Sequence, residues 1–574
     1  MVLLVNMSLS VKCQSCKKDF FVEEDDLNFY KKMQVPTPTF CPKCRFYRRS
    51  LWRNEHFFFK KREDITGNFI FSVYPPSSKI KIYDHSYWWS DAWDSKLYGR
   101  DYNFNITFFQ QFRDLLFSVP LCARSMQNCI NSEYSNHATN VKNAYLCFNA
   151  TNCENIAYSF RLSGSEDCVD TYEAKDSSLC YETFSIVDCE RMFWSSDCAN
   201  CYNVWFSSNC RNCNDCFGCV NLRNKKYCIF NEQYSKEKYE EQFKKNYDGS
   251  LSKIKETLKK VESMRKKFPV QYIHGNRNKN VTGDYVYASN NAIECFVVHN
   301  IDNARFSQFV RHSKDVYDYT NWGLACELIY ESANCGDNSQ NLRFCYECWP
   351  ASFDLDYCIE CHSSSNCFGC VGLQKAQYYI FNKQYPKEEY FSLRSKIIEH
   401  MNTMPYISND GLIYKYGEFF PSEFSPLKYE ESSASDYFPQ NNYSKVSSSH
   451  KIKILSSDLP EKIADVGDSI IGKIIECQDL QKCVHRCIGA FKITDMEFKF
   501  YKRFNVSIPR TCPNCRFYTR MDKLNPIKIW NRRCMCEKNT HQHKNKCSIE
   551  FKTNYSPENP QILYCEDCYK RELY

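Results

Sequence analysis

At 574 residues the chain has room for several domains, and 37 cysteines beside only 16 glycines set it apart from ordinary globular proteins. The opening MVLLVNMSLSVKC lacks a basic stretch, and no run reaches the roughly 18 apolar residues of a membrane helix, so a secreted disulfide framework and a membrane protein are both set aside. Residues 1–62 carry a net +7 and residues 481–574 a net +10, which leaves 63–480 at −10. The expectation is a cytoplasmic protein with reduced cysteines, whose basic ends suit a polyanion.

In chain order, residues 1–62 read as an N-terminal zinc module. Its two knuckles, Cys13-x-x-Cys16 and Cys41-x-x-Cys44, are separated by the stretch 17–40. Two such knuckles place four thiolates around one tetrahedral zinc. The run after Cys44 is expected to be helical and to gather Arg45, Arg48, Arg49 and Arg53 on one face, a candidate contact for nucleic-acid phosphates. Residues 63–120 read as an aromatic-rich cap, with Trp88, Trp89, Trp93, Asp91 and Asp94 as an alternative ligand groove.

Residues 121–234 form repeat array A. Cys147, Cys168, Cys189 and Cys210 recur at a constant step of twenty-one, and Cys180/Cys201 and Cys198/Cys219 keep that interval. Short strand-plus-turn units inside the period begin at alternating steps of nine and twelve. They suggest a β-solenoid in which one coil takes the whole twenty-one-residue period. Residues 271–385 form array B: Cys216-Phe-Gly-Cys219 returns as Cys367-Phe-Gly-Cys370, at an offset of 151. The ferredoxin-like run Cys210–Cys219 loses Cys213 to Ser364 in the duplicate, so an iron–sulfur cluster is not expected there. A helical insertion at 235–270 joins the arrays. A helix at 386–402 and a partly ordered, extended connector at 403–475 follow the second array.

Residues 476–574 read as tandem C-terminal zinc modules. Cys483, Cys487, Cys512 and Cys515 are the candidate ligands of the first, with Cys477 and His485 competing for the place of Cys483. Cys534, Cys536, Cys547, Cys565 and Cys568 are candidates for the second, with His541 and His543 as further donors. Arg516, Arg520 and Lys523 repeat the basic helical face.

Residues 13–49 resemble the small bacterial zinc-ribbon domain of treble-clef type, in the order CxxC, an FY-containing centre and CPxCR. The whole chain is similar to large zinc-binding, cysteine-rich repeat proteins of candidate-phyla bacteria, on phrases such as YDHSYWWSDAWDSKLYGRDYNF, KKYCIFNEQYSKEKY and FKTNYSPENPQILYCEDCYKREL. That resemblance implies zinc binding and brings no activity with it.

The expected fold is therefore mainly β, a duplicated solenoid-like array with helical insertions and zinc-ribbon modules at both ends. Two or three structural Zn²⁺ ions are expected. Nucleotide-binding glycine motifs, a GxSxG elbow and an HExxH helix are lacking. A four-ligand zinc leaves no position for catalytic water. The leading expectation is a non-enzymatic scaffold that contacts nucleic acid or a ribonucleoprotein. A protein-interaction scaffold is the first alternative, and a thiol- or metal-dependent enzyme the second.

Overall fold

In the computed structural model, residues 8–440, 454–480, 486–541 and 543–573 are described. The fold is mainly β. One sheet of 11 strands runs from Met126 to Gln233, and one of 10 strands from Gly275 to Gln384. Except for a short antiparallel strand at the C-terminal end of each, neighbours within both sheets are parallel.

The pairing interval overturns the expected twenty-one-residue coil. Cys168 lies beside Cys180, Cys189 beside Cys201 and Cys216 beside Cys228, so the chain of array A returns to its own edge at every twelfth position. Array B pairs at an interval of twelve in places and of thirteen in others, as in Ile301 beside Ser313 but Glu327 beside Gln340. Tyr172–Lys175 pairs with both Phe160–Ser163 and Phe184–Phe193, which closes six parallel strands into a ring.

A rhythm of three underlies the interval. Every third residue from Ala138 to Cys219 is buried, and these inward residues are Ala, Val, Ile, Leu, Met, Cys, Ser or Thr. The residue before each has positive φ along most of this stretch: Asn140, Asn143, Asn149, Asn152, Asn155 and onward. Left-handed backbone is costly for most L-residues and least so for Asn and Asp, which explains the abundance of both. Four such bends turn the chain through one circuit. Asparagines at the bends then bond to the next circuit, Asn131 to Asn143 at 3.1 Å and Asn143 to Asn155 at 2.9 Å.

The inward layer needs small side chains, because four of them meet in each circuit. Cysteine fits as a compact, weakly polar filler. Inward serines satisfy the backbone of the following circuit: Ser159 accepts from Thr171 N–H at 3.1 Å and Ser207 from Cys219 N–H at 2.9 Å.

Helices Lys236–Asn246 and Leu251–Arg265 connect the arrays, and Lys387–Thr403 follows array B. Helix Phe108–Leu116 closes array B, with Phe108 against Tyr357, Phe368 and Phe381 at 5.2–5.4 Å between ring centroids. Trp88 packs instead against Trp89, Trp93 and His362. It is fully buried and donates to Pro120 O, so it lines no open groove. The expected extended connector is also corrected over 403–440. Phe419, Phe420 and Phe424 are buried in the core shared by the N-terminal module and array B.

Candidate metal centres

Three modules build a cysteine cluster by the same local route. In each, an antiparallel hairpin ends at a cysteine: Leu9–Lys12 pairs with Asp19–Val22, Ile475–Glu476 with Ala490–Phe491, and Trp530–Arg533 with Glu550–Thr553. The next residue, Cys13, Cys477 or Cys534, donates its N–H across the hairpin at 2.9–3.0 Å to Lys18, Gly489 or Ile549. A C-x2-C knuckle then opens a helix: Pro42–Ser50, Pro513–Met521 or Glu566–Leu573. The first knuckle cysteine donates its own N–H back to that hairpin sulfur. Cys41 bonds to Cys13 at 3.3 Å, Cys512 to Cys477 at 3.2 Å and Cys565 to Cys534 at 3.2 Å.

The resulting groups are Cys13/Cys16/Cys41/Cys44, Cys477/Cys487/Cys512/Cys515 and Cys534/Cys547/Cys565/Cys568, with sulfurs within 4.8 Å of one another. A zinc at about 2.3 Å from four sulfurs requires tetrahedron edges of about 3.8 Å. The separations Cys16–Cys41 at 3.8 Å, Cys477–Cys515 at 3.8 Å, Cys487–Cys512 at 3.9 Å and Cys547–Cys565 at 4.0 Å fit that requirement. Hydrogen bonding from Cys44 holds Cys41 down at about 5, against the upward push of burial. The donor set suits Zn²⁺ or another thiophilic ion.

Two expected ligands change place. Cys477 completes the second group, because it is the residue that follows the hairpin strand as Cys13 does; Cys483 lies outside the described residues. Cys536 stands apart from the Cys534 group and converges instead with His541, His543 and Cys568. Sequence spacing misled here because the two hairpin ligands are spaced differently in each module, as Cys13 and Cys16, Cys477 and Cys487, and Cys534 and Cys547. The loop tolerates insertion while the hairpin keeps its ends together.

The expected basic faces are corrected more deeply. Arg45, Arg48, Arg49, Arg53, Arg516 and Arg520 are all buried, and only Lys523 of the seven candidates is exposed. Arg45 and Arg49 grip Asp318 of array B at 2.7 and 3.4 Å. Arg516 and Arg520 each reach Asp170 of array A at 3.0 Å. Arg48 pairs with Glu331 and, at 3.0 Å, with Glu418; Arg53 pairs with Glu55 at 2.7 Å. Burial would lower Arg45 and Arg516, but Asp318 and Asp170 outweigh it and hold both guanidiniums well above their usual value. These arginines fasten the modules to the arrays and have no surface to offer a phosphate.

The docking is crossed. The N-terminal module sits on array B, where Phe29 stacks on Tyr317 at 3.8 Å. The module around Cys512 sits on array A, where Tyr501 meets Tyr181 at 5.6 Å. The third module touches both. Leu563–Tyr564 extends the strand Val270–Gln271 in parallel, Asn554 donates to Asp284 of array B at 2.9 Å, and Tyr569 contacts Asn209 of array A.

Among the described residues, the array thiols Cys210, Cys213, Cys216 and Cys219 are not one of the converging four-ligand groups. They lie in the inward layer. Burial pushes the Cys153 thiol up to about 11, which disfavours the reactive thiolate there, whereas at Cys345 burial pushes up but hydrogen bonds from Cys348 and Cys358 bring the thiol down to about 5. A second polar cluster sits between the cap and the arrays, where Glu347, Glu360, His137 and His362 approach one interior pocket. Its carboxylates are occupied internally: Glu360 accepts from Cys122 N–H at 2.9 Å, and Glu347 from Trp349 at 3.2 Å and from Asn334.

No family model matches the chain, and no curated protein sequence matches it. The resemblance to zinc-ribbon and cysteine-rich repeat proteins therefore rests on the motifs themselves. The cysteine groups are compatible with zinc-binding modules, and no described helix is long and apolar enough to cross a membrane.

Proposed function

We propose that this protein is a non-enzymatic scaffold in which two β-solenoids with short coils, of twelve residues in array A and eleven to thirteen in array B, are locked together by structural zinc. The observation that carries the reading is the repeated clamp, with two knuckle arginines on one buried array aspartate in each half. A zinc knuckle committed to an internal contact acts as a folding staple. The surfaces left for partners are the open polar faces of the arrays, lined by Asn140, Lys142 and Glu154 on one and by Asn290, Asp302 and Lys314 on the other. These faces mix both charges, which favours protein partners over a nucleic-acid backbone.

The test is retention of purified protein on immobilised mixed RNA and DNA across a salt series, beside affinity capture from cells with and without nuclease. The expected result is no steep salt-dependent retention and partner capture that survives nuclease. Retention that collapses between low and moderate salt would restore the nucleic-acid reading.

A further inference from the structure

The loop between Cys534 and Cys547 is longer than its counterparts and carries Cys536, His541 and His543. These three do not crowd the Cys534/Cys547/Cys565/Cys568 group as spare ligands. With Cys568 they form a group of their own, within 4.8 Å of one another. Cys568 is the one residue common to both.

The histidines are oriented as ligands. His543 turns its Nδ1 to Asn545 O at 2.9 Å, which fixes the proton there and leaves Nε2 with its lone pair, 3.5 Å from Cys568 Sγ. His541 turns its Nε2 toward Glu572 at 3.8 Å and presents Nδ1 to Cys536 Sγ at 3.1 Å. The Glu572 carboxylate is itself held by Lys538, at 2.7 Å to each oxygen. A histidine whose second nitrogen faces a carboxylate or carbonyl is the arrangement that metal sites use to set the tautomer and aim the ring. Zinc at about 2.3 Å from sulfur and about 2.0–2.1 Å from nitrogen needs a sulfur–nitrogen edge of about 3.6 Å. The His543–Cys568 separation meets that figure. Cys536 is fully buried, and His541 and Cys568 are nearly so.

We propose that the third module is binuclear: one zinc on Cys534, Cys547, Cys565 and Cys568, a second on Cys536, His541, His543 and Cys568, with the Cys568 thiolate bridging them. Charge supports sharing. Two Zn²⁺ ions on five thiolates and two neutral imidazoles leave a net −1, less than the −2 of a lone four-thiolate zinc. The proposal rests on the structural-zinc reading above and raises the complement from three ions to four.

Native mass spectrometry of the zinc-loaded full chain is expected to count four ions, and the His541→Ala/His543→Ala double variant three. In the ¹¹³Cd-substituted wild-type chain, two of four cadmium resonances should couple to each other through the shared sulfur, one of them shifted by nitrogen ligation. Three zinc ions in the wild type, or four cadmium resonances with no mutual coupling, would overturn the bridged pair while leaving the structural-zinc scaffold standing. Fewer than three would overturn both.

Discussion

Asp170 and Asp318 each sit between two buried guanidiniums, and each occupies a left-handed bend of its array with φ 53°. Removing the Asp318 charge strands Arg45 and Arg49 in the interior, and breaking a buried pair in this way costs about 3–5 kcal/mol; removing that of Asp170 leaves Arg516 with Glu497 at 3.7 Å and Arg520 with Glu182 at 3.3 Å. Asp318→Asn should lower the unfolding free energy by that amount in urea titrations and Asp170→Asn by less, whereas neutralising the exposed Lys523 should leave it within about 0.5 kcal/mol of wild type. A second residue pair makes stability depend on pH. Burial would lower His274, but Asp284 at 2.9 Å outweighs it and holds the imidazolium at about 9. The same contact holds Asp284 below its usual value, against the push of its own burial. Because the folded histidine value is raised above the unfolded one, its contribution is complete below about pH 6.5 and is lost as pH climbs through about 9. The aspartate side is lost only as pH falls below about 3.9. Thermal melts should therefore lose about 2 kcal/mol of stability between about pH 6.5 and 9.5, and His274→Gln should flatten that slope.

At the scale of the element, the triplet is the unit of the arrays. Every cysteine from Cys129 to Cys228 falls at a position separated from the others by a multiple of three. Recurrences of nine, twelve and twenty-one are therefore all available to a cysteine that fills any inward slot. The sequence shows the repeat and its inward cysteines plainly. It does not show which multiple makes one circuit, because that is set by hydrogen bonding between circuits and not by the identity of the filler. Two pairs on array A separate the possibilities. Lys142 and Glu154 are twelve apart with Nζ and Oε1 at 2.6 Å, while Glu154 and Lys175 are twenty-one apart. Carbodiimide treatment followed by peptide mass spectrometry should join Lys142 to Glu154 and leave Glu154–Lys175 unlinked. The reverse pattern would mean that one circuit takes the longer period.

Across the whole molecule, the uneven charge finds its use indoors. Basic modules at both ends close onto an acidic centre, with the arginine clamp of the N-terminal module on array B and that of the Cys512 module on array A. The two halves thus clasp each other, and each knuckle whose cysteines could hold a metal ion also grips an array. Structural zinc contributes about 10–16 kcal/mol to a small module, so stripping one site should free its array surface. In Cys41→Ser, amide hydrogen exchange should quicken more over 308–333 of array B than over 160–182 of array A. Faster exchange confined to array A would contradict the crossed arrangement.

Residue spacing was enough for the local chemistry: four-cysteine groups, a duplicated cysteine-rich array, helices between and after the arrays, and basic residues one turn beyond each CPxC. Those features are local because each depends on residues within a turn or a hairpin of one another. What they serve depends on contacts between distant parts of the chain. Cys477 joins its group through a hairpin register that spacing alone does not reveal. The arginines of Pro42–Ser50 and Pro513–Met521 look like a surface for phosphates until their partners are found far along the chain, Asp318 for Arg49 and Asp170 for Arg516. A charge read along the chain carries no information about its burial, and here burial converts a candidate binding face into the fastening of the fold.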